Sequence, residues 1–272
     1  MTGVLSKLHL SKSGYYNYLH RKPSKQSISK KERMQAIQTI YDDNHQIYGA
    51  PKIAKEMQKK GEKISQRTVG VYMREMGIKA CYIKPYVKTT FDSDFSTKLH
   101  NILKRDFSPS KPNEAWCTDI TYIFTLEGFV YLTSVMDLYS RKIIAWTLSK
   151  TLEVEEVLKC IEMARKRRKT ANPAIIHSDR GVHYTSKLYK KLTAGLILSY
   201  SKKGTPWDNA CIESFHSVIK REWLNRTLIY DYDHAYELCF EYIETFYNTI
   251  RIHSHCGYES PNQYENNYYS KH

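Results

Sequence analysis

The chain has no C-x-x-C pair, no long apolar run, and too few acidic residues to balance its basic ones. Its six cysteines, Cys81, Cys117, Cys160, Cys211, Cys239 and Cys256, are widely scattered. Zinc ribbons and fingers need closely spaced ligands, and small disulfide frameworks need denser cysteine, so this spacing argues against both and for reduced thiols in a cytosolic protein. No stretch approaches the ~18–20 apolar residues that cross a bilayer, and the opening M-T-G-V-L-S-K-L-H-L lacks a signal-peptide core. A soluble cytoplasmic protein with no membrane partner is expected. The acid deficit is large: 42 Lys and Arg stand against 28 Asp and Glu, a formal charge of +14. It is concentrated in residues 1–105, with 21 basic and 8 acidic side chains, whereas residues 106–272 hold 21 and 20. The first part is therefore read as a polyanion-binding region whose affinity falls with salt, and the second as a near-neutral globular domain.

Within the basic part, residues 1–29 form a polar N-terminal segment. Helical apolar spacing starts near Ser29 or Lys30 with Met34, Ile37, Ile40 and Tyr41 on one face. A second helix is predicted over 50–60, and a third from Ser65, a good N-cap, to Gly77. Two short helices joined by K-K-G-E-K, with Gln66, Arg67 and Arg74 on the polar side of the second, read as a helix-turn-helix over 30–78. A plain three-helix bundle with a solvated charged face fits the same residues. The charge favours DNA, with Arg67 and Arg74 as candidate contacts. Residues 79–112 read as a basic linker in which Tyr82, Tyr86 and Phe91 alternate with lysines; it either tracks a phosphate backbone or is simply solvated.

From residue 113 the pattern changes. Strands are predicted at 115–123, 129–136 and 142–148, followed by a helix near 153–168, a strand at 174–178, a helix near 185–194, a strand near 196–201 and a long helix from about 209. This succession is an α/β mixed sheet. Asp119 falls on the first strand, Asp179 at the end of the fourth and Glu213 just inside the last helix. Carboxylates this close to a core are costly unless paired, and hard divalent cations are natural partners; two of them can drive phosphoryl transfer. Several neighbours admit two readings. Asp137 is a fourth ligand or a turn cap, and Asp208 is a rival to Glu213 or an N-cap. His177 and His183 orient an oxygen nucleophile or are structural. The run Arg165–Lys169 is a dipole-favoured helix end or a DNA patch. Ser217 and Lys220 share the face of Glu213 and, with Lys202 and Lys203, are candidate DNA contacts. Ile212, Phe215, Ile219 and Trp223 form the packing face.

The chain resembles the bacterial insertion-sequence transposases of the DDE class, whose catalytic domain is like that of retroviral integrases. The resemblance runs through S-K-S-G-Y-Y at 11–16, Y-G-A-P-K-I at 48–53, R-T-V-G-V-Y-M-R at 67–74 and W-C-T-D-I-T at 116–121. It continues through D-L-Y-S-R-K-I-I-A-W at 137–146, H-S-D-R-G at 177–181, D-N-A-C-I-E-S-F at 208–215 and Y-N-T-I-R-I-H at 247–253. It implies a ribonuclease-H-like catalytic core, assigned here to 113–225, with a C-terminal helical extension over 226–272. It further implies that Asp119, Asp179 and Glu213 bind two Mg²⁺ or Mn²⁺ ions that activate water to nick an element end and then the freed 3′-OH to attack target DNA. Double-stranded DNA, both terminal inverted repeats and target, is the implied partner, with a homo-oligomer on DNA associated with the nucleoid. An upstream-frame segment, as partner or fusion, is implied for full end recognition. Asp179 and Glu213 are separated by 33 residues, a shorter spacing than is usual for the family. The rivals are a structure-selective nuclease on the same fold and a non-catalytic DNA-binding protein.

Overall fold

The computed structural model describes residue 7 and residues 11–81, 99–168, 175–202 and 204–271. The chain divides into two compact units, Met1–Ala80 and Cys81–His272.

The first unit contains α1 (Lys12–Leu19), α2 (Lys25–Asp43), α3 (Ala50–Lys59) and α4 (Gln66–Glu75). Serines start three of them: the hydroxyls of Ser11, Ser24 and Ser65 accept from the backbone N–H of Gly14, Ser27 and Thr68. Two differences from the sequence reading follow from these caps. α2 begins at Lys25, several residues early, and α1 lies in the segment read only as polar and basic; α1 buries no side chain, so it leaves no apolar period to detect. Ile37, Ile40, Tyr48, Ile53, Met57, Val69 and Met73 form the core between α2, α3 and α4. The turn from α3 to α4 passes through Gly61 at φ +88°, a left-handed conformation that suits glycine. Arg67 and Arg74 are exposed on α4, as the amphipathic pattern requires.

The second unit is built on a five-stranded sheet of β1 (Ala115–Thr125), β2 (Gly128–Asp137), β3 (Ile143–Ser149), β4 (Ile175–Ser178) and β5 (Ile197–Tyr200). Their spatial order is β3-β2-β1-β4-β5. The first three strands are antiparallel neighbours, while β4 joins β1, and β5 joins β4, in parallel. α5 (Val154–Arg168) packs Val157, Cys160, Ile161 and Ala164 into a core with Trp116, Val135, Ile144 and Ile176. The short helices α6 (Val182–Thr185) and α7 (Lys187–Leu192) add Tyr184 and Tyr189 to the same core. α8 (Ala210–Glu222), preceded by a 3₁₀ turn at Pro206–Asn209, contacts β1 and β2 and buries Ile212, Phe215 and Ile219. Trp223 caps α8 in a half-buried position and stacks on Phe246 at 5.8 Å.

Residues 99–103, the described tail of the linker, are built into this unit. Leu99 and Leu103 are buried, and His100 accepts from the N–H of Tyr200 at 3.0 Å. Residues 82–98, including Tyr82, Tyr86 and Phe91, lie outside the described residues. The chain ends in α9 (Tyr232–Phe240), a π-helical segment Glu241–Tyr247 and α10 (Pro261–Tyr269). Asn248 accepts from the N–H of Ile143 and donates to its carbonyl, both at 3.0 Å, while Tyr247 donates to the carbonyl of Arg141 at 3.1 Å. The Y-N-T-I-R motif is thus a clasp on edge strand β3.

Candidate active site

Asp119 and Asp179 are brought to matching positions on neighbouring strands by register. On the parallel pair β1 and β4, Cys117 lies opposite His177, and each aspartate follows two residues later. The parallel register therefore sets the two carboxylates on neighbouring strands, Asp119 midway along β1 and Asp179 just past the end of β4. The turn after β4 shapes the second of them: Gly181 N–H donates to Asp179 Oδ1 at 2.9 Å, and a Cβ on Gly181 would sit 3.0 Å from that oxygen. A side chain there would crowd the carboxylate.

Glu213 arrives from the first turn of α8. Its carboxyl reaches solvent, yet its pKa is pushed up to about 7, first by desolvation and then by the charges of Asp119 and Asp179. The three acids therefore share one electrostatic field. Among the described residues no three His, Cys, Asp or Glu side chains close into a metal cage. An all-carboxylate donor set of this kind fits a hard divalent cation.

The acids and histidines with two readings resolve into structural roles. Asp137 Oδ1 accepts from Tyr139 N–H at 2.9 Å and Oδ2 from Asn113 N–H at 2.8 Å, so it caps the turn. Burial pushes its pKa up to about 6 against the opposing charge of Arg168. Asp208 does not cap α8, whose N-cap is Asn209. Its carboxylate instead accepts from Asn101 Nδ2, Arg105 Nε, Lys202 N and Thr205 Oγ1, tying residues 101–105 to the loop before α8. Burial alone would raise the Asp208 pKa, but these partners hold it below its usual value.

His177 is fully buried between Ser199 and Ser201. The Ser199 hydroxyl already accepts from Ile102 and Leu103 N–H, so its own hydrogen goes to His177 Nδ1. Nε2 then carries the ring proton toward Ser201, and burial drives the His177 pKa down to about 4. His183 is spent on the carbonyl of Leu152 at 3.0 Å. At the end of α5, Arg167 bonds Glu244 and Arg168 bonds Glu265, while Lys169 lies outside the described residues.

Of the candidate DNA contacts near the site, Lys202 and Ser217 are exposed, and Lys203 lies outside the described residues. Lys220 is half-buried, with Nζ 4.4 Å from the centre of the Tyr122 ring. Burial lowers its pKa, and the field of Asp119 opposes that shift. One side chain near the triad escaped the sequence reading. His216 is buried in α8, with Nδ1 3.4 Å from Asp119 Oδ2 and Nε2 3.3 Å from Ser134 Oγ. Its only trace in the sequence is a polar residue beside the apolar positions 212, 215 and 219.

Models of the integrase core domain match residues 109–206 and 194–261, and an HTH-like domain matches residues 29–86. The transposase for insertion sequence element IS904 of Lactococcus lactis subsp. lactis is 34% identical over 249 residues, covering 91% of this chain and 98% of the relative. The chain belongs to the insertion-sequence transposases. Transposase InsF for insertion sequence IS3A of Escherichia coli is 33% identical over 266 residues, covering 95% of this chain and 91% of the relative. Among solved structures, the HTLV-2 integrase catalytic core domain in complex with magnesium is similar at 16% identity and TM-score 0.44, over 57% of this chain and 98% of that one. The fold of the transposase is α/β and ribonuclease-H-like, preceded by a helix-turn-helix-like domain. The second core match takes in Glu213 and the clasp residues Tyr247, Asn248 and Arg251.

Proposed function

We infer that this transposase, a polynucleotidyl transferase of the DDE class, nicks DNA at insertion-sequence ends and joins the resulting 3′-OH to target DNA. The observation that carries the reading is the common register of Asp119 and Asp179 on parallel strands, with Glu213 inside the field of both. Asp119, Asp179 and Glu213 would hold two Mg²⁺ or Mn²⁺ ions. Bound there, such ions activate an attacking oxygen and stabilise the leaving one. The chain's own contribution is placement: two neighbouring strands fix two carboxylates, and a packed helix brings the third.

Affinity for DNA is assigned to the basic first unit, with Arg67 and Arg74 exposed on α4, and to Lys202, Ser217 and Lys220 beside the triad. Lys220 rests against Tyr122 and lies within the field of Asp119, which supports a role next to the scissile strand. Copies of the chain would gather on paired element ends, alone or with an upstream-frame segment, at the nucleoid. Among the described residues no helix is long and apolar enough to cross a membrane.

The test uses the full chain, Mn²⁺ and a labelled duplex carrying an element end. The unaltered protein is expected to give nicked and joined products. Asp119→Asn, Asp179→Asn and Glu213→Gln should give neither while shifting the duplex as well as the unaltered chain. Nicks without joining would indicate a nuclease, and strong cleavage by any of the three variants would remove that residue from the site.

A further inference from the structure

The register that places Asp119 also sets a serine beside it. Asp119 on β1 lies directly opposite Ser134 on β2, so both side chains leave the same face of the sheet. α8 crosses over that face. Successive residues of a helix turn by about 100°, which puts position 216 between Glu213 and the buried stripe of Ile212, Phe215 and Ile219. His216 therefore occupies the seam where the solvent-facing site meets the core. Its ring bridges the pair below, with Nδ1 3.4 Å from Asp119 Oδ2 and Nε2 3.3 Å from Ser134 Oγ.

We propose that His216 is a positioning residue that holds the catalytic carboxylate of Asp119 in its metal-binding orientation, with Ser134 fixing the ring. The inference rests on Asp119 being a metal ligand, as argued above. An ionised carboxylate only accepts, so the nitrogen facing Asp119 must bear hydrogen. In the neutral ring the other nitrogen is then an acceptor, and the Ser134 hydroxyl, fully buried, donates to it. Ser134 Oγ, 3.3 Å from Nε2, fixes the ring plane, and Nδ1 faces Asp119 Oδ2 at 3.4 Å as a charge contact that closes to a hydrogen bond when the carboxylate turns to a cation. One carboxylate oxygen is thereby engaged by the protein and the other is left for a cation. Groups that orient a metal ligand in this way typically alter ion affinity about 10–100-fold when removed. The alternative role, an imidazole that merely fills space under α8, predicts no such dependence.

The experiment measures Mn²⁺ binding to the full chain without DNA, from the free-ion electron paramagnetic resonance signal. Asp119→Asn is the reference for loss of a ligand, and thermal unfolding is followed in parallel. His216→Ala should weaken Mn²⁺ binding about tenfold or more. His216→Asn, whose amide nitrogen falls near the place of Nδ1, should keep most of the affinity. His216→Gln, whose amide lies nearer Nε2, should behave like Ala. Ser134→Ala removes only a hydroxyl, so it reports even where His216→Ala does not fold, and it should also weaken binding. Unchanged Mn²⁺ affinity in Ser134→Ala, or equal affinities in His216→Asn and His216→Gln, would overturn the assignment while leaving Asp119 as a ligand. Unchanged affinity in Asp119→Asn would overturn the metal reading of Asp119 and this proposal with it.

Discussion

At the N-terminal end of α8, Glu213 meets solvent and two other carboxylates that raise its pKa, whereas at the C-terminal end Glu222 is buried and fully partnered. Arg251 grips Glu222 through Nε at 2.6 Å and an Nη at 2.7 Å, and Tyr242 donates to it at 2.7 Å. The same side chain on the same helix is thus left electrostatically strained at one end and neutralised at the other. The difference separates two electrostatic settings: an internal cation already serves Glu222, while the carboxylates that raise the pKa of Glu213 carry like charge. Helical spacing alone does not separate the two, since both are glutamates on one amphipathic helix; the D-N-A-C-I-E-S-F motif at 208–215 singles out Glu213.

The sharpest way to test the contrast is charge removal at Glu213. Glu213→Gln should lower strand joining by at least about a thousandfold, as loss of a metal-holding group implies. It should leave the chain at least as stable as before at pH 8 in a chelator. The sign follows from the raised pKa: the fold prefers the protonated acid, so stability is lost as pH rises from the ordinary glutamate value through about 7. An amide that cannot ionise escapes that loss. A clear drop in the unfolding midpoint at pH 8 would mean that Glu213 is structural.

At the other end the expected effects are reversed. Arg251→Met should destabilise the second unit by about 3–5 kcal/mol, because it strands a buried charge. The double change Glu222→Met with Arg251→Met should recover much of that, because a buried pair is often replaceable by apolar volume. Urea denaturation of the single and double variants reads this directly. Additive losses would show that the pair does not act as a unit.

A smaller effect comes from His177, buried on β4 two residues before Asp179. Its folded pKa lies below its unfolded one, so its contribution is present above pH 6.5 and is lost as pH falls toward about 4. That loss is on the order of 3 kcal/mol by pH 4. His177→Gln should cost stability at pH 7 but flatten the decline between pH 6.5 and 4. A decline as steep as that of the unaltered chain would assign acid sensitivity to other groups.

How far these sites were legible depends on the range of the interactions that make them. The strands β1 to β3, helices α2 to α5 and the positions of Asp119, Asp179 and Glu213 follow from local alternation, helical spacing and motif residues. The boundary of α2 was missed because a capping hydroxyl, Ser24, starts the helix before its apolar stripe begins. Asp208 reads locally as an N-cap, yet its partners Asn101 and Arg105 lie a hundred residues back, where no spacing rule reaches. The same holds for Arg251 with Glu222 and for His216 with Asp119. These pairs are created by the topology that folds the terminal helices and the linker against the sheet.

The clasp of Asn248 on Ile143 has a consequence for assembly. β3 and β5 are the two rims of the sheet, and rims with free amide and carbonyl groups invite pairing with another chain. At β3, the Asn248 amide takes both backbone groups of Ile143; at β5, the carbonyl of His100 takes the N–H of Tyr200. A neighbouring copy cannot extend the sheet at Ile143 or Tyr200 without first peeling away a segment of the chain's own making. Any second copy that meets these rims is thereby steered toward contact through side-chain surfaces, and away from the strand-to-strand pairing that would lead to open-ended polymers.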